Sequence, residues 1–291
     1  TEMVAGAELA RETEEFVRRA APHNGSGPFI VQLAGREPEW MRIGAELAEA
    51  AGADIIDINM GCPAKKVTGG QSGCALMREP ELARQLISAT VAGTKRPVTV
   101  KMRLGWDDAS LNAPEIARLA EGEGAQMVTV HGRTRMQFYT GEANWSRIAA
   151  VVEAINLPVI ANGDIEDEAS AREAMEKSGA AGVMIGRGAE GRPWRLAQIS
   201  NAVFDTPYRA PTRDERLASI LNQIASSVDL YGERLGVRVV RKHVAAFVDA
   251  WCEDHGLAPM VETRVALCRI ESSSALQDAL ATALASRKDA A

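Results

Sequence analysis

A cysteine held between a glycine and a proline closes the run Asp57-Ile-Asn59-Met-Gly61-Cys62-Pro63. A cysteine at the carboxyl end of a parallel strand sits where α/β enzymes keep their chemistry. Cys62 is therefore a candidate catalytic group. Similar polar groups recur downstream. Lys101 lies in Val98-Thr-Val-Lys101-Met-Arg103, where burying an ammonium is costly unless its charge is used. Alternation puts it on one side with Thr99, where it suits an anionic group on a cofactor. His131 is followed by Gly132-Arg133-Thr-Arg135, and two arginines suit phosphate recognition. In Asn162-Gly163-Asp164, Gly163 permits close backbone approach to a ligand. Asn162 and Asp164 fit a turn and a helix cap equally well.

Two further motifs are rich in glycine. Gly186-Arg187-Gly188-Ala-Glu-Gly191 matches GxGxxG literally. No parallel strand is visible after it, which a dinucleotide fingerprint requires. Gly186, Arg187 and Gly188 instead suit a mononucleotide phosphate site in a barrel loop. The Gly69–Cys74 loop suits a lid. Cys74 is a rival to Cys62, although packing at a helix start explains it better.

These groups need elements to hold them. Strands read at 29–34, 53–59, 97–103, 126–131, 157–162 and 181–186. Helices with apolar residues three and four apart read at 38–51, 79–93, 112–123, 144–155 and 167–179. Repeated strand–helix units imply a parallel sheet, and polar groups at every strand end favour a (β/α)8 TIM barrel. Six strands are two short of eight. Thr1-Glu-Met-Val4 reads as a strand tail, so the first strand, its helix and most of the second strand are expected to be missing. After Trp194 come a short helix at 194–203, a Pro-rich link, and helices near 212–231, 235–254 and 259–286. The expected domains are a barrel over 1–203 and an all-helical domain over 204–291.

Composition sets the remaining bounds. The 291-residue chain is 46% hydrophobic and 25% charged, ordinary for a globular protein. No apolar run approaches the ~18 residues that cross a bilayer, and no signal peptide is visible. Cys62, Cys74, Cys252 and Cys268 form no CxxC pair, which suggests neither a zinc site nor a disulfide framework and makes the cytoplasm the default. A net charge of −6 argues against indiscriminate nucleic-acid binding. Arg234, Arg238, Arg241 and Lys242 fall on one helix face by spacing. That face is either simply solvated or a local grip for nucleic acid.

Taken together, Asn59-Met-Gly-Cys62-Pro-Ala-Lys-Lys66-Val, Val100-Lys101-Met-Arg103, His131-Gly-Arg133-Thr-Arg135, Asn162-Gly-Asp164 and Gly186-Arg187 resemble the tRNA-dihydrouridine synthase family, its bacterial B-type branch most closely. The matching motifs run from about Gln32 to Trp194, and the tail fits the family's RNA-binding domain. The resemblance implies an FMN-bound barrel that uses NADPH to reduce a uridine in tRNA. By the same resemblance, Gln32, Lys101, Asn162, Gly163, Asp164, Gly186 and Arg187 are FMN contacts, with His131 at the same site. Cys62 is then the proton donor to C5, once hydride has passed from FMN N5 to C6. Asn59 and Arg133 are neighbours of substrate or cofactor. The family's first strand ends in an Ala-Pro-Met segment against the flavin, and this sequence lacks it. Two rival readings are an FMN barrel reducing a free pyrimidine and a non-catalytic RNA-binding protein on a degenerate barrel.

Overall fold

The computed structural model describes residues 3–11, 27–69 and 71–285. Thr1 and Glu2 of the expected strand tail, Gly70 of the expected lid and residue 286 of the last expected helix lie outside the described residues.

Seven parallel strands pair in sequence order: β1 Val4–Ala5, β2 Ile30–Ala34, β3 Ile55–Met60, β4 Val98–Arg103, β5 Met127–His131, β6 Val159–Asn162 and β7 Gly182–Met184. All six expected strands form. The seventh is short, pairs Val4 with Leu33 and Ala5 with Ala34, and falls at the expected strand tail. The arrangement is the expected TIM-barrel-like α/β fold, followed along the chain by a helical region. Parallel strands are buried on both faces, and β3 and β4 are buried along almost their whole length.

Helices cover the sheet for legible reasons. Pro38–Ala50, Pro80–Ala92 and Ala113–Gly122 each carry a proline and a glutamate in the first turn. Proline's fixed φ suits that position, and the acid complements the helix dipole. Their buried faces combine small and branched residues: Met41, Ala45 and Ala48; Ala83, Leu86 and Ile87; Ile116, Ala117 and Ala120.

Two expected helices take other forms. The 144–155 stretch is a 3-10 turn, Trp145–Ile148, followed by a short helix, Ala149–Val152. The Asn144 side chain caps Arg147 N, and the Trp145 indole donates to Gly163 O at 2.9 Å. Those two anchors hold the first turn tight. The last helix is two, Val261–Leu267 and Ser273–Ala285. The Glu233 carboxylate accepts from Ser273 N and Oγ at 2.6 and 2.9 Å. This starts a new helix where a continuous one was expected.

The chain divides into two compact units, residues 1–165 with 169–185 and residues 166–168 with 186–291. The division falls nearer Gly186 than the 203/204 boundary suggested by the Pro-rich link. Trp194 explains this, because it packs on the helical core of Ile224, Val244, Phe247 and Trp251. The Arg216 guanidinium lies 5.0 Å from the Trp194 ring centre. Within this unit, Arg213–Tyr231 opens with a reciprocal Thr212–Glu215 capping box and runs into Glu233–Asp254 through Gly232 at φ +77°. Among the described residues, no helix is long and apolar enough to cross a membrane.

Candidate active site

Strand register assembles the polar groups of the first unit. Gln32 pairs with Asp57, and Asp57 with Thr99. Two residues further along, Asn59 pairs with Lys101. At the strand ends, Arg103 pairs with His131, and His131 with Asn162. A two-residue period keeps each strand's set on one sheet face, so these side chains meet.

They meet as a directed chain. The Thr99 hydroxyl donates to Asp57 Oδ1 at 2.6 Å, and Gln32 Nε2 donates to Asp57 Oδ2 at 2.6 Å. Asn59 Nδ2 donates to Gln32 Oε1 at 2.7 Å. Asn59 Oδ1 accepts from the backbone N–H groups of Gly61 and Cys62 at 3.2 and 3.0 Å. Asn59 thus shapes the turn that carries the half-buried Cys62. Burial pushes the Asp57 carboxyl up, while Thr99, Gln32 and the charge of Lys101 pull it back.

Asn162 is a second hub. Its Nδ2 donates to Met184 O at 2.8 Å, so its Oδ1 is the acceptor. That oxygen takes Lys101 Nζ at 3.1 Å and His131 Nδ1 at 3.0 Å. The His131 proton therefore sits on Nδ1. Its Nε2 faces Arg133 Nη1 at 3.4 Å. Burial, then the charges of Arg103, Lys101 and Arg133, push His131 down to about 3. It is a neutral ring at physiological pH. Burial also pulls Lys101 down, opposed by Asp57.

Arg133 is occupied entirely within the chain. Its Nη1 and Nη2 grip the Asp164 carboxylate at 2.8 and 2.5 Å. Nη2 also reaches Gly141 O, and Nε reaches Thr140 O. With His131 Nε2, all five N–H groups are engaged. Asp164 further accepts from Ala143 N at 2.8 Å. The knot holds Gly163 and Asp164 at φ +109° and +52°. A Cβ on Gly163 would lie 2.8 Å from Ala143 Cβ and 3.1 Å from His131 Nε2. Glycine is thus required both for its φ and for its neighbours.

Arg103, Asp57 and Thr99 are site residues that the motifs did not single out. Buried Arg103 donates to Gly61 O, Thr134 O and Phe138 O. It therefore braces the Cys62 turn through Gly61. The available signal was its place two residues beyond Lys101 on the same strand. Cys74 is buried in the 3-10 helix Gly73–Arg78, and burial raises its thiol to about 12. Its backbone N–H donates to Cys62 O at 3.1 Å, so it supports Cys62 from a packed position.

Comparison with known proteins decides the family. A family model described as Dihydrouridine synthase (Dus) matches residues 1–276. This chain belongs to the dihydrouridine synthase family. It is 52% identical over 252 residues to a "Probable tRNA-dihydrouridine synthase" of Rhodobacter capsulatus, covering 86% of this chain and 78% of that relative. A protein of the same description from Rhizobium leguminosarum bv. phaseoli is 52% identical over 250 residues, 86% and 76% of the two chains. The "tRNA-dihydrouridine synthase B" of Pseudomonas putida is 43% identical over 222 residues, 76% and 66%.

In this dihydrouridine synthase family member, the remaining expected site residues lie in the second unit. Arg187 opens a 3-10 turn, Arg187–Ala189, and Gly186 has free space where a Cβ would stand. Gly191, the last glycine of the GxGxxG match, has a packing reason instead. A Cβ there would lie 2.4 Å from Ala246 O. Arg234, Arg238 and Arg241 do share a face, lining a cavity of about 480 Å³ with Glu233, Val237 and Glu271. Lys242 is exposed outside that lining.

Proposed function

We propose that this protein reduces the C5–C6 double bond of uridines in tRNA, with bound FMN and with NADPH as reductant. The observation that carries the reading is that Cys62 is held by Asn59, Lys101 and His131 meet on Asn162, and Asn59 pairs with Lys101 across neighbouring strands, in a chain of this family. The residues fit a flavin. Lys101 is a lysine drawn out of water with an amide oxygen at its ammonium, and an electron-rich ring edge would stabilise its charge. Asn162, whose amide oxygen takes Lys101 Nζ, the backbone at Gly163 beyond it, and Gln32 are the polar partners that the first unit offers. When bound, FMN supplies the hydride chemistry and NADPH restores it.

The chain's own residues do the rest. Cys62, half-buried on a turn fixed by Asn59 and Arg103, holds a proton for C5 of the uracil. Asn59 and His131 line the approach. Arg133 and Asp164, expected as contacts, act by holding His131 and Gly163 in place, since their charges are spent on each other. The uracil must leave its stack to reach a strand-end site. The arginine-lined cavity of the second unit holds RNA phosphates, and the cytoplasm supplies the tRNA.

The test loads the protein with FMN, reduces it with NADPH without oxygen, and adds tRNA lacking dihydrouridine. Return of the oxidised flavin's visible absorbance with tRNA, but not with uracil or orotate, is expected. Return with a free pyrimidine alone would move the protein to nucleotide metabolism. Absence of any flavin binding would leave RNA binding as its role.

A further inference from the structure

We propose that Asp57 is a positioning residue for Cys62, acting through Gln32 and Asn59. The proposal rests on Cys62 being the proton donor, and it assigns a task to a buried carboxylate that the reaction itself does not use.

Hydrogen-bond direction runs one way along the row. Backbone N–H groups can only donate, so those of Gly61 and Cys62 fix Asn59 Oδ1 as an acceptor. The Asn59 amide nitrogen must then donate, and Gln32 Oε1 must accept. Gln32 Nε2 is left facing Asp57 and must find an acceptor there. A carboxylate oxygen is one, and Thr99 holds the other carboxylate oxygen in place. Every amide in the row is oriented from both ends. Asp57, Asn59 and Thr99 are 7%, 8% and 5% exposed, so at those three positions water cannot readily stand in for a lost partner, while Gln32 between them is half-buried. A buried carboxylate is a costly way to fill space. Its position in register with Gln32 and Thr99 is explained if it ends the chain that holds the Cys62 turn.

The same logic gives a reversible test. Asp57→Asn can still accept from Gln32 through its amide oxygen while donating to the Thr99 hydroxyl, so the row survives. Gln32→Glu puts two carboxylates face to face and breaks it. The double variant Gln32→Glu/Asp57→Asn restores it, because the new amide donates to the new carboxylate and Asn59 keeps its acceptor. The readout is the rate and pH profile of iodoacetamide alkylation at Cys62 on the full chain, resolved by peptide mass spectrometry. Half-buried Cys268 serves as the internal control.

Gln32→Glu and Asp57→Leu should each shift the Cys62 rate at least about fivefold, the scale of one lost hydrogen bond. Asp57→Asn and the double variant should stay within about twofold of the unaltered protein. A double variant whose effect is the product of the two single effects would overturn the proposal. So would an unchanged rate in Gln32→Glu, which keeps the test decisive if Asp57→Leu fails to fold. A protein that shows the rescue yet never reduces tRNA keeps this positioning role and loses the assigned reaction.

Discussion

At the scale of single residues, the site separates groups with a free proton or charge from groups spent on geometry. Cys62→Ala should keep FMN binding and NADPH oxidation but lose about 10²–10⁴-fold in dihydrouridine yield, read by mass spectrometry of digested tRNA. Wild-type yield would remove Cys62 from the acid role. Arg133 belongs to the second group. Lysine brings a charge but three donors in place of a planar five-donor fork. Arg133→Lys should therefore cost about 1–3 kcal/mol of stability, the scale of leaving a buried acceptor such as Thr140 O or Gly141 O without its donor, measured by urea unfolding of the first unit's signal. His131 predicts a pH dependence. Its folded value is near 3 against an ordinary 6.5. Between those values the unfolded chain takes up a proton that the native ring refuses, so stability falls as pH drops through that window. Within that window a fall of one in pH costs at most about 1.4 kcal/mol. The urea midpoint of His131→Gln should accordingly fall less steeply from pH 6.5 to 4 than that of the unaltered protein.

At the scale of elements, two glycines that look alike in sequence should behave oppositely. Gly236 lies inside the helix Glu233–Asp254, where alanine's propensity would favour it by about 1 kcal/mol. A Cβ there would stand 2.5 Å from Ser227 O and 2.7 Å from Val228 Cα. Those are backbone atoms of the facing helix and cannot rotate away. Gly236→Ala should thus lose about 1–3 kcal/mol net. Gly122 has nothing within 4 Å of its Cβ position, and Gly122→Ala should gain about 0.4–1 kcal/mol. Thermal unfolding of both variants checks the pair. The contrast marks what sequence could carry. The strands were legible because runs such as Val98–Arg103 and Met127–His131 are β-branched and bounded by turn residues. His131 and Asn162 could be picked out because they end their strands, and Lys101 because it is a charge inside an apolar one. The break before Ser273 was not, since it depends on Glu233, forty residues earlier in the chain. Nor was the role of Arg133, because an arginine beside a histidine looks the same whether its partner is a phosphate or Asp164.

At the scale of the whole molecule, an acidic protein is proposed to hold a polyanion. With a net charge of −6, long-range attraction cannot do this, so the grip must be local. Many arginines of the second unit are already committed. Arg192 pairs with Asp254 and Glu253, Arg216 with Asp254, and Arg264 with Asp249. Arg241 is tied to Ile270 O. Arg234 and Arg238 are exposed and line the same cavity, which makes them the charges best placed for phosphates. Replacing both, Arg234→Glu with Arg238→Glu, should weaken tRNA binding and flatten its salt dependence. Each lost phosphate contact removes about 0.7–0.9 from the slope of log K against log salt. Fluorescence anisotropy with labelled tRNA across a salt series reads both quantities. NADPH oxidation without tRNA should be unchanged, because neither arginine is among the proposed flavin contacts. A weaker affinity with an unchanged slope would mean that these arginines act by shaping the helices, and the phosphate grip would have to be sought elsewhere.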